Sequence, residues 1–318
     1  LPLYNRAVFS MQPPGSIFKT VVGLVAMQEG VTTINRTIPC YSGYAINGKV
    51  QMGCHNHPTC TSVSQAIQHS CNAYFAHVFR NIVDMKGYTN PTAGLDIFNS
   101  YLERFGIGKE LGIDFPRENK GNFPTSNYYN ESYRKRGEDR WYSSYIMSVG
   151  IGQGEVQMTP LQIANLATII ANKGYYYTPH FCKQFAQDGA VELKYDKFRV
   201  QNSVYVERKY FDPIIDGMED VVRAGTGYRA YIPSIPICGK TGTVQNPHGE
   251  DHSVFFAFAP KENPKIALAV YVEHGSAGGF IAAPMASLII EKYLHGKIAP
   301  ARKNREQFVK TLDLMVSP

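Results

Sequence analysis

The stretch from Ser16 to Gln28 constrains the fold more than any other part of the chain. It is apolar nearly all round, through Ile17, Phe18, Val21, Val22, Leu24, Val25 and Met27. A helix of this kind is stable only when other elements enclose it on every side. Pro13-Pro14-Gly15 leads into it, and Gly30 follows as a helix-terminating residue. Enclosing such a helix requires a substantial core. The 318 residues, 44% hydrophobic and 18% charged, can supply one, and they exclude intrinsic disorder. That length fits one large domain or two small ones. The longest apolar runs are Val21 to Met27, Val254 to Ala259 and Ile266 to Val272. None approaches the roughly 18 residues of a membrane span. No basic segment followed by an apolar one opens the chain, so no signal peptide is expected. The first residue is Leu, in keeping with a chain cut from something longer that carries an anchor upstream. Net charge is +6, from 32 basic and 26 acidic residues spread along the chain. That is too mild and dispersed for a nucleic-acid partner, and it fits loosely with an anionic substrate or surface.

Two more helices are legible. Thr159-Pro160 reads as an N-cap and first helical residue, followed by Leu161, Ala164, Ala167 and Ile170 at helical spacing, with Gly174 as the stop. Pro284 to Leu294 is apolar at helical spacing too. Strand signals cluster late in the chain. Ser253 to Ala259 and Lys265 to Glu273 flank a Pro-Lys-Glu-Asn-Pro turn and predict an antiparallel hairpin, with Ile237 to Val244 as a neighbouring strand. Helices, then strands, then a closing helix predict a sheet packed against helices, of α/β or α+β class. Phe115 to Arg140 is polar, with Pro116, Gly121, Pro124 and Gly137, and reads as a long loop. Residues 298–318 follow the break at Ala299-Pro300 and read as a polar tail outside a domain spanning 1–297.

Three short motifs carry chemistry. In Ser16-Ile17-Phe18-Lys19, positions i and i+3 share one face of a helix. A serine needs a base within hydrogen-bond reach, and lysine serves once burial lowers its pKa. The N-terminal N–H groups of the helix suit an oxyanion. In Ser70-Cys71-Asn72, Ser70 and Asn72 face one site only if the helix breaks there, between a segment near Val63 to His69 and one near Ala73 to Ile82. In Lys240-Thr241-Gly242-Thr243, a cation and two hydroxyls end a strand, and the glycine admits close backbone approach. Such a strand edge binds a carboxylate and lays a peptide alongside itself. Each motif alone is commonplace: a capping serine, an arbitrary triplet, a polar strand end.

Taken together, with 54 residues from Ser16 to Ser70 and 170 from Ser70 to Lys240, they form an ordered set. Ser-x-x-Lys, Ser-x-Asn and Lys-Thr-Gly in that order mark penicillin-binding proteins and serine β-lactamases. The chain resembles the transpeptidase domain of class B penicillin-binding proteins, most nearly the elongation type. The blocks Pro2 to Ala7, Gln12 to Ser16, Gly150 to Gly154, Thr159 to Gln162, Ala224 to Gly227 and Ala282 to Pro284 extend the resemblance over roughly residues 1 to 295. Cysteine stands at the centre of the middle motif, where aspartate is frequent. The resemblance implies an antiparallel sheet flanked by helices, plus an all-helical subdomain.

It also implies roles. Ser16 attacks the penultimate D-alanine carbonyl of a stem peptide ending D-Ala-D-Ala, and Lys19 takes its proton. Ser70 and Lys240 pass a proton to the leaving D-alanine, and Asn72 holds the substrate backbone. Lys240, Thr241 and Thr243 hold the carboxylate where Gly242 lets it approach, and backbone N–H groups of Ser16 and Thr243 form the oxyanion hole. β-Lactams acylate the same serine. No catalytic cofactor is implied. Lys19 is expected to be largely neutral near pH 7. The aromatics Phe123, Tyr128, Tyr129 and Tyr133 are expected to border a bound peptide. A cell-wall substrate implies a domain on the periplasmic or outer face, tethered to the plasma membrane through a segment before Leu1, and working with an elongation glycosyltransferase complex. The rivals are a serine β-lactamase, a D,D-carboxypeptidase and a β-lactam sensor. No glutamate stands out as a deacylating base among Glu118, Glu131 and Glu138, and the blocks at Gly152 and Pro284 favour the cell-wall enzyme.

The cysteines present a separate pattern. Four of the six, Cys40, Cys54, Cys60 and Cys71, lie within 32 residues. Cys54-His55-Asn56-His57 has the tight spacing of a structural zinc chelate. One expectation is zinc held by Cys40, Cys54, His57 and Cys71, with Cys60 as a substitute. The other is two disulfides among the four cysteines, in an oxidising compartment. A ligand bond at Cys71 would pin the helix break between Ser70 and Asn72.

Overall fold

The computed structural model describes residues 4–183, 185–187, 190–192, 196–247 and 249–313. After a short helical turn at Arg6–Phe9, a 3₁₀ turn at Gly15–Phe18 runs directly into helix α1 (Lys19–Gln28). Every residue of α1 from Lys19 to Met27 is buried, as its unbroken apolar surface requires. A hairpin follows, β1 (Gly43–Ile46) with β2 (Lys49–Gly53). Next come α2 (Val63–Gln68), α3 (Asn72–Val83), α4 (Pro91–Arg104) and α5 (Ser126–Lys135). Then α6 (Pro160–Ala171) leads, past short strand pairs, to α7 (Phe211–Ala224). A three-stranded antiparallel meander closes the core: β3 (Cys238–Val244), β4 (His252–Ala259) and β5 (Ile266–Val272). Helices α8 (Ala282–His295) and α9 (Lys303–Lys310) are the last among the described residues.

The central strand explains the layering. On β4, Val254, Phe256 and Phe258 point into the helical core that surrounds α1, while Phe255, Ala257 and Ala259 meet Ala282, Ala283, Ala286 and Ile290 of α8. Alternate residues of a strand face opposite sides, so one continuous apolar run buries both faces of the sheet. Lys240 pairs with Phe256 and Thr243 with Ser253, which places the Lys-Thr-Gly motif on β3, an edge strand among the described residues. Phe18, Phe79 and Phe98 pack edge to face and tie the 3₁₀ turn ahead of α1 to α3 and α4.

The segment Phe115 to Arg140 departs from the expected loop, because α5 lies within it. Thr125 caps this helix by accepting from Tyr128 N. Tyr129 is buried against Trp141, and Tyr133 packs on Tyr145, one helical turn further on. The polar composition conceals a helix whose apolar side is made of tyrosines. Tyr129 is thus a packing residue, and of the four aromatics proposed to border a peptide only Tyr128 is largely exposed. Residues 298–318 start as a polar tail in sequence, yet Arg302 pairs with the buried Glu291 of α8 at 2.8 Å and also donates to Tyr231 O and Ser287 Oγ. At Arg302 the chain therefore returns to the domain.

Candidate active site

Ser16 lies at the start of the 3₁₀ turn, half-buried, one residue after Gly15. Gly15 sits at φ +58°, and a Cβ there would meet Thr243 O at 3.0 Å. A left-handed backbone in such tight space calls for glycine. A Cβ on Gly242 would come within 2.8 Å of Pro14 O. Gly15 N donates to Gly152 O at 2.9 Å, and Gln153 Nε2 donates to Thr243 O at 3.2 Å. Residues 14–16 are therefore clamped between the edge strand β3 and the loop at Gly152, with Ser16 beside Gly242 and Thr243.

Lys19 is wholly buried in the first turn of α1. Its Nζ donates to Ser70 O at 2.7 Å, to Ser70 Oγ at 3.2 Å and to Asn72 Oδ1 at 2.5 Å. The break that these contacts need is present. Helix α2 ends, Ser70 takes a left-handed φ of +54°, and Cys71 caps α3 with its sulfur accepting from Tyr74 N. Asn72 is further held by Nδ2 donating to Gly53 O at 2.6 Å, at the end of β2. Sequence reasoning had no access to this support, because it comes from the hairpin.

Burial lowers the Lys19 pKa to about 8, with the nearby thiols of Cys71, Cys54 and Cys60 pulling it partly back up. This corrects the expectation of a largely neutral lysine at pH 7: with a pKa near 8, only about a tenth of the population is neutral there. Lys240 is also wholly buried, and its Nζ donates to Thr241 O at 3.2 Å. Burial first, and then Lys19, push its pKa well below the ordinary lysine value. Two buried amines in one site are the arrangement that proton transfer near neutral pH requires.

Thr241 and Thr243 are held as well as placed. Thr241 Oγ1 lies 2.6 Å from Thr226 Oγ1, and Thr243 Oγ1 accepts from Gly278 N at 3.2 Å. Thr226 and Gln153 both fall in sequence blocks noted above, but nothing in their spacing signalled that they would brace β3. Glu118 accepts from Gly112 N and Ile113 N, so it folds its own loop rather than facing Ser16.

The cysteine cluster adjoins this site. One ligand atom from each of Cys40, Cys54, His57 and Cys71 lies within 4.8 Å of the others. The β1–β2 hairpin closes Cys40 onto Cys54, with Gly43 opposite Gly53 and Cys54 N donating to Ser42 O. Cys54 Sγ and Cys71 Sγ are 3.9 Å apart, and Cys40, Cys54, Cys60 and Cys71 form no disulfide with one another. Tetrahedral zinc with bonds of about 2.3 Å separates two sulfurs by about 3.8 Å, so the spacing fits. His57 Nδ1 lies 2.7 Å from Pro58 O, while Nε2 is buried with no partner. A ring whose Nδ1–H is engaged presents Nε2 as a lone-pair donor. Cys60 lies outside the converging set, with its sulfur 3.8 Å from His57 Nδ1. The cluster also touches the catalytic break, since Cys54 Sγ accepts from Asn72 N and Ala73 N.

Comparison with known proteins gives the family. The peptidoglycan D,D-transpeptidase MrdA of Haemophilus influenzae is 31% identical over 339 residues, covering 98% of this chain and 49% of that protein. Pseudomonas aeruginosa PBP2, solved in complex with WCK 5153, matches with a TM-score of 0.76 at 30% identity, over 94% of this chain and 63% of the other. Helicobacter pylori PBP2, solved in complex with MreC, matches with a TM-score of 0.73 at 27% identity, over 92% and 52%. The chain spans about half the length of the curated relatives it matches. The penicillin binding protein transpeptidase domain matches residues 2–291, and with Ser16, Lys19, Ser70, Asn72 and the Lys240 strand in one place, this chain belongs to that family.

Proposed function

We propose that this domain is a peptidoglycan D,D-transpeptidase that works through a serine acyl-enzyme. The observation that carries the proposal is Lys19: wholly buried, lowered to about 8, and hydrogen-bonded to Ser70 and Asn72 within a turn of Ser16. In the protonated form, Ser70 O, Ser70 Oγ and Asn72 Oδ1 use all three Nζ protons. Loss of one leaves a lone pair for the Ser16 hydroxyl proton. Ser16 Oγ then bonds to the penultimate D-alanine carbonyl carbon, with the oxyanion at the Ser16 and Thr243 N–H groups. The proton travels through Ser70 and Lys240 to the leaving nitrogen as the C–N bond breaks and D-alanine departs. An amine of a second stem peptide attacks the ester, returns the proton to Ser16 Oγ and forms the cross-link. Asn72 holds the substrate backbone, while Lys240, Thr241 and Thr243 bind the terminal carboxylate, with Gly242 leaving room beside them.

The family relationship supports β-lactams as substrate mimics and cell-wall elongation proteins, a glycosyltransferase complex among them, as partners. It supports a plasma-membrane anchor with this domain on the periplasmic face, although no helix among the described residues is long and apolar enough to cross a membrane. Cys40, Cys54, His57 and Cys71 hold a structural zinc in this reading, on the strength of the converging atoms and the orphaned Nε2 of His57. A zinc held by these four residues would tie the β1–β2 hairpin to the start of α3.

Intact-protein mass spectrometry after exposure to a penicillin tests the central claim. One acyl adduct is expected, mapped to Ser16 and lost in Ser16→Ala; an unmodified wild-type protein overturns it. The adduct should persist for many minutes without an amine acceptor, whereas release within seconds would point to a β-lactamase.

A further inference from the structure

A cavity of about 260 Å³ lies apart from the Ser16 site, between the catalytic domain and α9. Tyr228, Arg229 and Pro284 line one side, and Asn304, Arg305 and Phe308 the other. Its charge is unbalanced. Among the described residues no carboxylate pairs with Arg229 or Arg305. The acidic groups of α8 and α9 on this side are engaged elsewhere: Glu291 with Arg302, and Glu306 with Lys303 and Lys310. Arg305 Nη1 is buried and has no hydrogen-bond partner. A buried guanidinium N–H without an acceptor is costly, and two guanidiniums on facing walls repel each other unless an anion lies between them. Burial, then Arg302 and Arg229, hold Arg305 below the ordinary arginine pKa, as expected for a cation lacking its counter-charge.

The other walls are apolar. Arg229 lies over the Phe280 ring at 4.1 Å, and Phe280 packs edge-on against Phe308 at 5.8 Å. The ring holds Arg229, and among the described residues no hydrogen bond or ion pair engages its N–H groups. A guanidinium fork matches a planar carboxylate in two parallel hydrogen bonds. The tyrosine, proline and phenylalanine surfaces leave space that a bare inorganic anion does not fill. We propose that this cavity is a binding site for a small carboxylate with an apolar body, about the size of one acylated amino acid, held by Arg229 and Arg305. The site is separate from the Lys240 to Thr243 strand, and its existence does not depend on acyl transfer at Ser16.

The test is calorimetric titration of the full chain with N-acetylphenylalanine, with its uncharged amide and inorganic phosphate as parallel arms. The carboxylate should bind, and the amide should bind at least about tenfold more weakly. Arg229→Gln and Arg305→Gln should each weaken carboxylate binding at least about tenfold, with penicillin acylation of Ser16 unchanged. Because Arg305→Gln alters the docked helix itself, a thermal melt accompanies it, and Arg229→Gln on the opposite wall gives an independent reading. No binding at millimolar carboxylate, equal binding of the amide, tighter binding of phosphate, or full binding by Arg229→Gln each overturns the proposal.

Discussion

At Lys19 a single side chain reconciles two opposed demands. It must be buried to lose its proton and hydrogen-bonded to stay in place. Ser70 and Asn72 meet the second demand without a carboxylate, which would have raised the pKa. The folded-state value falls from 10.5 to about 8, so the neutral, reactive form predominates above pH 8 and is lost as pH falls. Penicillin acylation should therefore drop about tenfold per pH unit below 8 and level off above it. Stopped-flow acylation between pH 6 and 9 reads this directly, and a flat profile removes Lys19 from the base role. Lys19→Arg should abolish acylation at every pH, since arginine does not deprotonate.

At the scale of elements, what matters is how each one ends. Helix α6 begins with a capping box in which Thr159 and Gln162 bond each other reciprocally. The same Gln162 amide donates to Gly106 O, Lys109 O and Lys120 O, so one buried side chain pins two loops onto the helix start. Gln162→Ala should cost about 3 kcal/mol, because it strands buried acceptors and removes the box. Chemical denaturation measures this, and a loss under about 1 kcal/mol would mean that water replaces the amide. The α2–α3 break is the other decisive end. If zinc ties Cys71 to the hairpin, chelation and Cys71→Ala should each lower the melting temperature and slow acylation together, because Asn72 hangs from the same junction. Metal analysis showing no zinc, with the four cysteines found as disulfides, would reject this.

For the whole molecule, the closing contact lies far from Ser16. Glu291 is 2% exposed, and Arg302 supplies its counter-charge from beyond the matched family region. Removing Arg302 leaves a buried carboxylate without its partner, a loss of about 3 kcal/mol. Arg302→Ala, or truncation after residue 297, should lower the melting temperature by several degrees. An unchanged melt would show that solvent reaches Glu291 and that residues 298–318 are dispensable to the fold.

Local patterns determined a good part of this protein. The enclosed helix, the capped start of α6 and the three-stranded meander all follow from the order of neighbouring residues, because periodicity, caps and glycines act over a few positions. The three motifs were legible as a set for the same reason: each is contiguous. The tertiary structure decided the rest. Nothing local shows that Tyr129 and Tyr133 face Trp141 and Tyr145, so a helix read as a loop. Nothing local says that Gly53 would hold Asn72, that Thr226 would meet Thr241, or that Arg302 would find Glu291. These partners are 15 or more residues apart, except for the 11 between Arg302 and Glu291. Their meeting depends on how the whole chain closes, and with it the burial that sets the pKa of Lys19.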